Sequence, residues 1–167
     1  MAGQSAPRES GSHPMSKTSQ PRRMTILVAE DDEDDFYFLQ CIFKKTDVVS
    51  LHRVGDGEEA LDYLQGRGRF SDRQAYPFPN ILLLDLRLPG LSGHELLIKL
   101  NGHPQFGHLR KCILSGSDLR RDREQAARNG ADDYFVKPLR LGHLAALFGE
   151  QTKPLGRVAE SALGREA

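Results

Sequence analysis

The sequence has little of what an exported, membrane-embedded or nucleic-acid-coating protein needs. Two cysteines, Cys41 and Cys112, in 167 residues are no disulfide framework. Both stand inside apolar segments and read as reduced core thiols of a cytoplasmic protein. The first residues contain no apolar stretch of the kind a secretory leader carries. No apolar run exceeds a few residues, against the ~20 that a spanning helix requires, so no membrane association is expected. Charge of neither sign is in excess. Lys and Arg number 23, Asp and Glu 23, and this balance points to neither nucleic acid nor anionic lipid. Six histidines (His13, His52, His94, His103, His108, His143) show no metal-ligand spacing and read as structural or surface residues. A glycine-rich phosphate loop is also missing, which removes support for nucleotide binding.

What is present is an ordinary globular composition, 38% hydrophobic and 28% charged, in a chain long enough for one domain with a proper core. Residues 1–23 are rich in Ser, Gly, Pro, Gln and Arg, lack a periodic apolar face and are expected to form a flexible tail. From Met24 the pattern changes. Ile26 to Ala29 is a continuous apolar run, as in a strand buried on both faces. A helix follows with Phe36, Leu39, Ile42 and Phe43 on one side. Val48 to Val54 reads as a second strand, and Asp56 to Glu59 resembles a capping box opening a short helix through Ala60, Leu61 and Leu64. Gly66 to Pro79 reads as a polar loop.

Ile81 to Leu84 is the most apolar run and the expected central strand. Ser92 to Glu95 is a second capping box, opening a helix with Leu96, Leu97 and Leu100 that Gly102 is placed to end. Cys112 to Leu114 is a fourth strand. Asp118 to Asn129 reads as a polar helix anchored by Leu119, with Gly130 at its C-terminus. Tyr134 to Val136 is a fifth strand. Leu141, Leu144, Leu147 and Phe148 give a last amphipathic helix, with Leu141 assigned to the core. Strands alternating with helices argue for a parallel sheet covered on both faces. The domain is expected to span residues 24–150, with 151–167 prolonging the last helix or left disordered.

In open parallel sheets ligands bind at the carboxyl ends of the strands. After the first strand come Glu30, Asp31, Asp32, Glu33, Asp34 and Asp35. After the third comes Asp85, after the fourth Ser115-Gly116-Ser117, and after the fifth Lys137-Pro138. Clustered carboxylates raise one another's pKa unless a cation neutralises them, and a hard divalent ion such as Mg²⁺ suits an all-oxygen site with room for a phosphoryl oxygen. Lys137 adds a compact positive charge and Ser115 a hydroxyl donor. Such parts suit phosphoryl transfer to a carboxylate, which needs an in-line nucleophile and neutralised oxygens.

Four stretches, Ile26 to Asp32, Leu83 to Gly93, Ile113 to Ser117 and Tyr134 to Pro138, resemble the receiver domain of two-component response regulators, in order and on the expected strand ends. The resemblance implies a flavodoxin-like (βα)5 fold with strand order 2-1-3-4-5. It implies that Asp85 accepts a phosphoryl group from a histidine kinase, and that Mg²⁺ is held by Glu30, Asp31, Asp85 and the backbone carbonyl of Arg87. It assigns Ser115 as switch hydroxyl, Tyr134 as switch aromatic and Lys137 as the family's lysine, with a cis Lys137–Pro138 peptide. It also implies a protein that catalyses only its own phosphorylation and dephosphorylation. The Asp34-Asp35 pair, the Asp56 to Leu64 helix and the Gly66 to Pro79 insert look like small regulators that partner phytochrome-type histidine kinases. No output domain is expected after the fifth helix, so signalling by phosphorelay or association, including a homodimer, is the expected mode, with no nucleic-acid or membrane partner.

Taken singly, each residue has an ordinary explanation. The 30–35 acids suit a solvated helix start, with Asp32 as N-cap and Asp34 and Asp35 as first-turn acids. A lone Asp after a strand is usually a turn residue. Tyr134 fits half-buried strand packing. A metal-dependent phosphatase would also use a strand-end Asp but often wants an acid two residues later, where this chain has Arg87. An adaptor that is never phosphorylated has no need of the full set of acids, hydroxyl and lysine.

Overall fold

The apolar runs order the molecule because every strand alternates its side chains between two faces. In the computed structural model, which describes residues 24–46 and 49–148, five strands form one parallel sheet in the order β2-β1-β3-β4-β5. They are β1 (Met24–Ala29), β2 (Val49–Val54), β3 (Ile81–Leu84), β4 (Arg110–Ser115) and β5 (Asp133–Val136). The helices between and after them are α1 (Glu33–Phe43), α2 (Gly57–Gln65), α3 (Gly93–Leu100), α4 (Arg120–Arg128) and α5 (Leu144–Phe148).

Period-2 alternation sorts the strands into two cores. Leu27, Ala29, Leu82, Leu84 and Ile113 pack with Ala60, Tyr63 and Leu64 of α2, Leu96, Leu97 and Leu100 of α3, and Ala126 of α4. Ile26, Val28, Ile81, Leu83, Cys112, Leu114 and Phe135 pack on the other face with Leu39, Ile42 and Phe43 of α1 and Leu144, Leu147 and Phe148 of α5. The register keeps the faces consistent, with Ile26 opposite Ile81 and Leu84 opposite Ile113. β3 is buried throughout and central, as its run of four apolar residues requires. Cys112 lies inside this core, where burial pushes its thiol up to about 12 and leaves it a poor nucleophile. No described helix is long and apolar enough to cross a membrane.

The caps follow local chemistry. Asp32 accepts from the N–H groups of Asp34 and Asp35 at 2.8 and 3.0 Å, starting α1 directly after β1. Ser92 and Glu95 form the expected reciprocal box. At α2 the box is shifted: Asp56 accepts from the Glu59 N–H at 2.7 Å, but the Glu59 carboxylate reaches Gly55 N–H instead of Asp56.

Three expectations need correction. α4 starts at Arg120, not Asp118, and Leu119 is no anchor: it occupies the N-cap position and is 47% exposed, while Ala126 is the helix's buried residue. Leu141 sits in a 3-10 turn ahead of α5 and is half exposed, so it does not belong to the core. The 66–79 segment is more than a polar loop. Phe70 is buried, and Phe70 and Tyr76 meet edge-on at 5.2 Å over Tyr63. Arg73 ties them down by donating to the carbonyls of Tyr63, Leu64 and Tyr76. The tails at 1–23 and 151–167, and Val48 at the expected start of β2, lie outside the described residues.

Candidate functional site

The carboxyl ends of β1, β3, β4 and β5 meet at one edge, and the residues that leave each strand meet there too. Asp85 follows β3 immediately and is 6% exposed, its N–H bonded to Ala29 O as an extension of the sheet. Its Oδ1 accepts from the Arg87 N–H at 2.8 Å, which fixes the carboxylate's orientation. Glu30 follows β1, its N–H bonded to Val54 O, and is 2% exposed. Asp31 is exposed. Glu30, Asp31 and Asp85 can each bring a carboxylate oxygen within 4.8 Å of the others.

Lys137 arrives from the end of β5, where its N–H donates to Ser115 O and its peptide to Pro138 is cis. Its ammonium donates to Asp85 Oδ2 at 2.6 Å and to Glu30 Oε2 and Asp35 Oδ2 at 2.7 Å. Burial by itself pulls the ammonium's pKa down, but the three carboxylates outweigh it and hold Lys137 well above the usual lysine range. Burial pushes the Glu30 carboxyl up, and Lys137 and the Asp32 N–H only partly offset this. One fixed cation therefore leaves the site short of positive charge. An all-oxygen donor set of buried Glu30 and Asp85 with exposed Asp31 fits a hard divalent cation entering from solvent.

Ser115 ends β4, is 4% exposed, and its hydroxyl accepts from the Ser117 N–H at 3.2 Å. Beside it a groove of about 390 Å³ is lined by Leu86, Arg87, His94, Gly116, Ser117 and Asp122. The Arg87 guanidinium lies along this groove close to Gly116. Tyr134 in β5 is half buried, donates its hydroxyl to Ser117 O at 2.9 Å, and carries the Arg123 guanidinium over its ring at 4.8 Å. Ser117 in turn donates to Asp122 Oδ2 at 2.5 Å. Tyr134 is thereby tied to the loop that begins α4.

The structure thus gathers Glu30, Asp31, Asp85 and Lys137 directly, with Ser115 at the next strand end and Tyr134 one loop away. Sequence reasoning missed Asp35, a direct partner of Lys137. Asp34 and Asp35 look alike as first-turn acids, and only the direction in which α1 leaves β1 separates them. It also missed Arg53 of β2, whose guanidinium bonds the carbonyls of Glu30 and Asp31. An arginine next to last in an edge strand carries no distinguishing signal.

With this geometry in view, residues 26–148 match the family described as "Response regulator receiver domain". Response regulator Rcp1 of Synechocystis sp. is 32% identical over 104 residues, covering 62% of this chain and 68% of its own. Among solved structures, response regulator RPA3017 in red light signaling of R. palustris is 36% identical with a TM-score of 0.67, covering 75% of this chain and 88% of that one. The Mn²⁺-bound form of response regulator Rcp1 is 25% identical with a TM-score of 0.67, covering 78% and 99%.

Proposed function

Because the chain belongs to the response regulator receiver family, whose members accept a phosphoryl group in signalling, we propose that Asp85 is the accepting carboxylate. The observation that supports this most directly is the buried Asp85 carboxylate held between the Arg87 N–H and the Lys137 ammonium, beside Glu30 and Asp31. Glu30, Asp31, Asp85 and the Arg87 carbonyl would hold Mg²⁺, which when bound neutralises charge on the transferring oxygens. The donor is a sensor histidine kinase, phytochrome-type by likeness to the bacteriophytochrome response regulators RtBRR and AtBRR and to RPA3017 of red light signaling. The setting is the cytoplasm, and the reactions catalysed are the domain's own phosphorylation and dephosphorylation.

An Asp85 carboxylate oxygen attacks the phosphorus and becomes the acyl-phosphate bridge, while the P–N bond to the kinase histidine breaks and its imidazole leaves, protonated by solvent. Lys137 donates to a phosphoryl oxygen, and Ser115 turns its hydroxyl from the Ser117 N–H toward another. Phosphorylation adds about −1.5 to −2 charge and three acceptor oxygens, which must favour one arrangement of Ser115 and Lys137 over the other to act as a switch. When Ser115 moves inward, Tyr134 takes the space beside it. Its bond to Ser117 O carries the motion to α4, which buries only Ala126 and is therefore easily shifted. The altered α4-β5-α5 surface is read by a partner or by a second copy in a homodimer.

The test is incubation of the full chain with Mg²⁺ and a small acyl-phosphate donor. A phosphoryl-sized mass gain that disappears in Asp85→Asn is expected; a gain retained in that variant means another acceptor. A second prediction concerns Arg87, whose side chain covers the Ser115-Gly116 side of the site. Arg87→Ala should open that side to water and speed acyl-phosphate decay about threefold or more, the rate equivalent of about 0.7 kcal/mol. Equal decay of variant and wild type, followed by loss of the mass gain, would remove Arg87 from any role in phosphoryl lifetime.

A further inference from the structure

Glu30 and Asp31 leave the sheet just where a cation would need them, and the main chain there has few anchors. The Glu30 N–H still bonds Val54 O, but the ladder ends at Ala29 and α1 does not begin until Glu33. The carbonyls of Glu30 and Asp31 fall in this gap. Arg53 fills it. Arg53 lies opposite Val28 on the neighbouring strand, and its Nε donates to Glu30 O at 3.0 Å while its terminal nitrogen donates to Asp31 O at 2.9 Å. The guanidinium lies over the Phe36 ring, whose centre is 5.4 Å away, and the exposed Glu33 carboxylate approaches it at 3.7 Å. A planar fork meeting two successive carbonyls sets both backbone positions at once, which an ammonium cannot do.

We infer that Arg53 is a positioning residue for divalent-cation binding: it fixes the main chain of Glu30 and Asp31 so that both carboxylates face the site. The inference rests on the metal-binding role proposed for those two acids. Arg53 touches no acidic site oxygen and acts only through the backbone that carries them. Its own charge has the sign of the cation. A purely electrostatic effect of removing Arg53 would therefore tighten metal binding, whereas loss of positioning weakens it. The two effects oppose, so the sign of the change separates them.

The experiment measures Mn²⁺ binding to the full chain by electron paramagnetic resonance, for wild type, Arg53→Ala, Arg53→Lys and Asp31→Asn. Arg53→Ala should bind about tenfold more weakly, the usual order for loss of a group that orients a metal ligand. Arg53→Lys keeps the charge but loses the fork and should also weaken, by about threefold or more. Melting temperatures in EDTA should stay close to wild type. At saturating Mn²⁺ the rate of phosphorylation by a small acyl phosphate should recover, so that the half-saturating metal concentration moves and the maximal rate does not. Equal or tighter binding by Arg53→Ala overturns the inference. If that variant does not fold, wild-type affinity in Arg53→Lys overturns it instead. Asp31→Asn separates the two levels. If it binds as wild type does, the metal-binding role and the inference resting on it both fall. If Asp31→Asn weakens and the Arg53 variants do not, the inference alone fails.

Discussion

Replacing Lys137 with methionine should destabilise the metal-free chain by about 3–5 kcal/mol near neutral pH, because it leaves buried carboxylates without their counter-charge. Methionine keeps most of the volume, so packing changes little. Glu30 and Asp85 are 2% and 6% exposed, and both bond the Lys137 ammonium. Asp35 is half exposed and contributes little to this loss, because water already screens it.

The effect should depend on pH with a definite sign. The Glu30 carboxyl is already raised by burial, and Lys137 restrains it more than the Asp32 N–H does, so in Lys137→Met it rises further. A folded-state pKa above the unfolded value contributes stability that is complete below the unfolded pKa and lost as pH rises through the folded one. The deficit of the variant should therefore be smallest at about pH 4–5 and widen toward neutrality. Glu95, held low by Ser92, has the opposite pH dependence but is unaffected by Lys137 and cancels in the difference; Asp32, held low chiefly by the N–H groups of Asp35 and Asp34, loses only the lesser contribution of the Lys137 charge. Urea unfolding in EDTA at several pH values measures this, and added Mg²⁺ should narrow the gap by replacing the missing charge. Equal stability of the two proteins in EDTA at neutral pH would mean that Lys137 is not what holds the carboxylates.

Gly93→Ala should cost about 3 kcal/mol and also slow phosphorylation. A Cβ at Gly93 runs into the Asp85 carbonyl oxygen and the Leu86 Cα, both backbone, and the Gly93 N–H is bonded to Leu86 O at 3.1 Å. No rotamer relieves that contact. Either α3 lifts from the sheet or the segment carrying Asp85 shifts, and a misplacement of about 1 Å at a reacting group can cost on the order of a hundredfold in rate. Gly102→Ala is the comparison. Gly102 has a φ of 76° and nothing near its missing Cβ, so it should lose only about 1 kcal/mol from left-handed strain and keep its phosphorylation rate. Thermal melting and single-turnover phosphorylation of both variants give the comparison. A Gly93→Ala protein that phosphorylates at the wild-type rate would show that α3 yields and Asp85 does not.

Two of the three corrected expectations share a cause. Leu119 is the residue just before α4 and Leu141 lies in the 3-10 turn just before α5, so each stands at a helix entry where no buried face yet exists. The 66–79 segment looked polar because its aromatics are spaced without a period. Phe70 and Tyr76 pack because Arg73 folds the segment back onto α2, and no local pattern encodes that.

By itself the sequence determined the strands, the parallel alternating order, the caps at Asp32 and Ser92, and the set of strand-end residues Glu30, Asp31, Asp85, Ser115 and Lys137. Those features depend on residue type and short spacing. Apolar runs and capping residues act over a few positions, and a parallel sheet brings every strand's carboxyl end to one edge. Only the tertiary structure decided that Lys137 bonds Asp35 as well as Asp85 and Glu30, that Arg53 reaches the carbonyls of Glu30 and Asp31, and that Tyr134 is tied to Ser117. Each of these joins elements distant in sequence, and each depends on the angle at which a helix or loop leaves the sheet. That angle is set by packing over the whole core, and no single segment carries it.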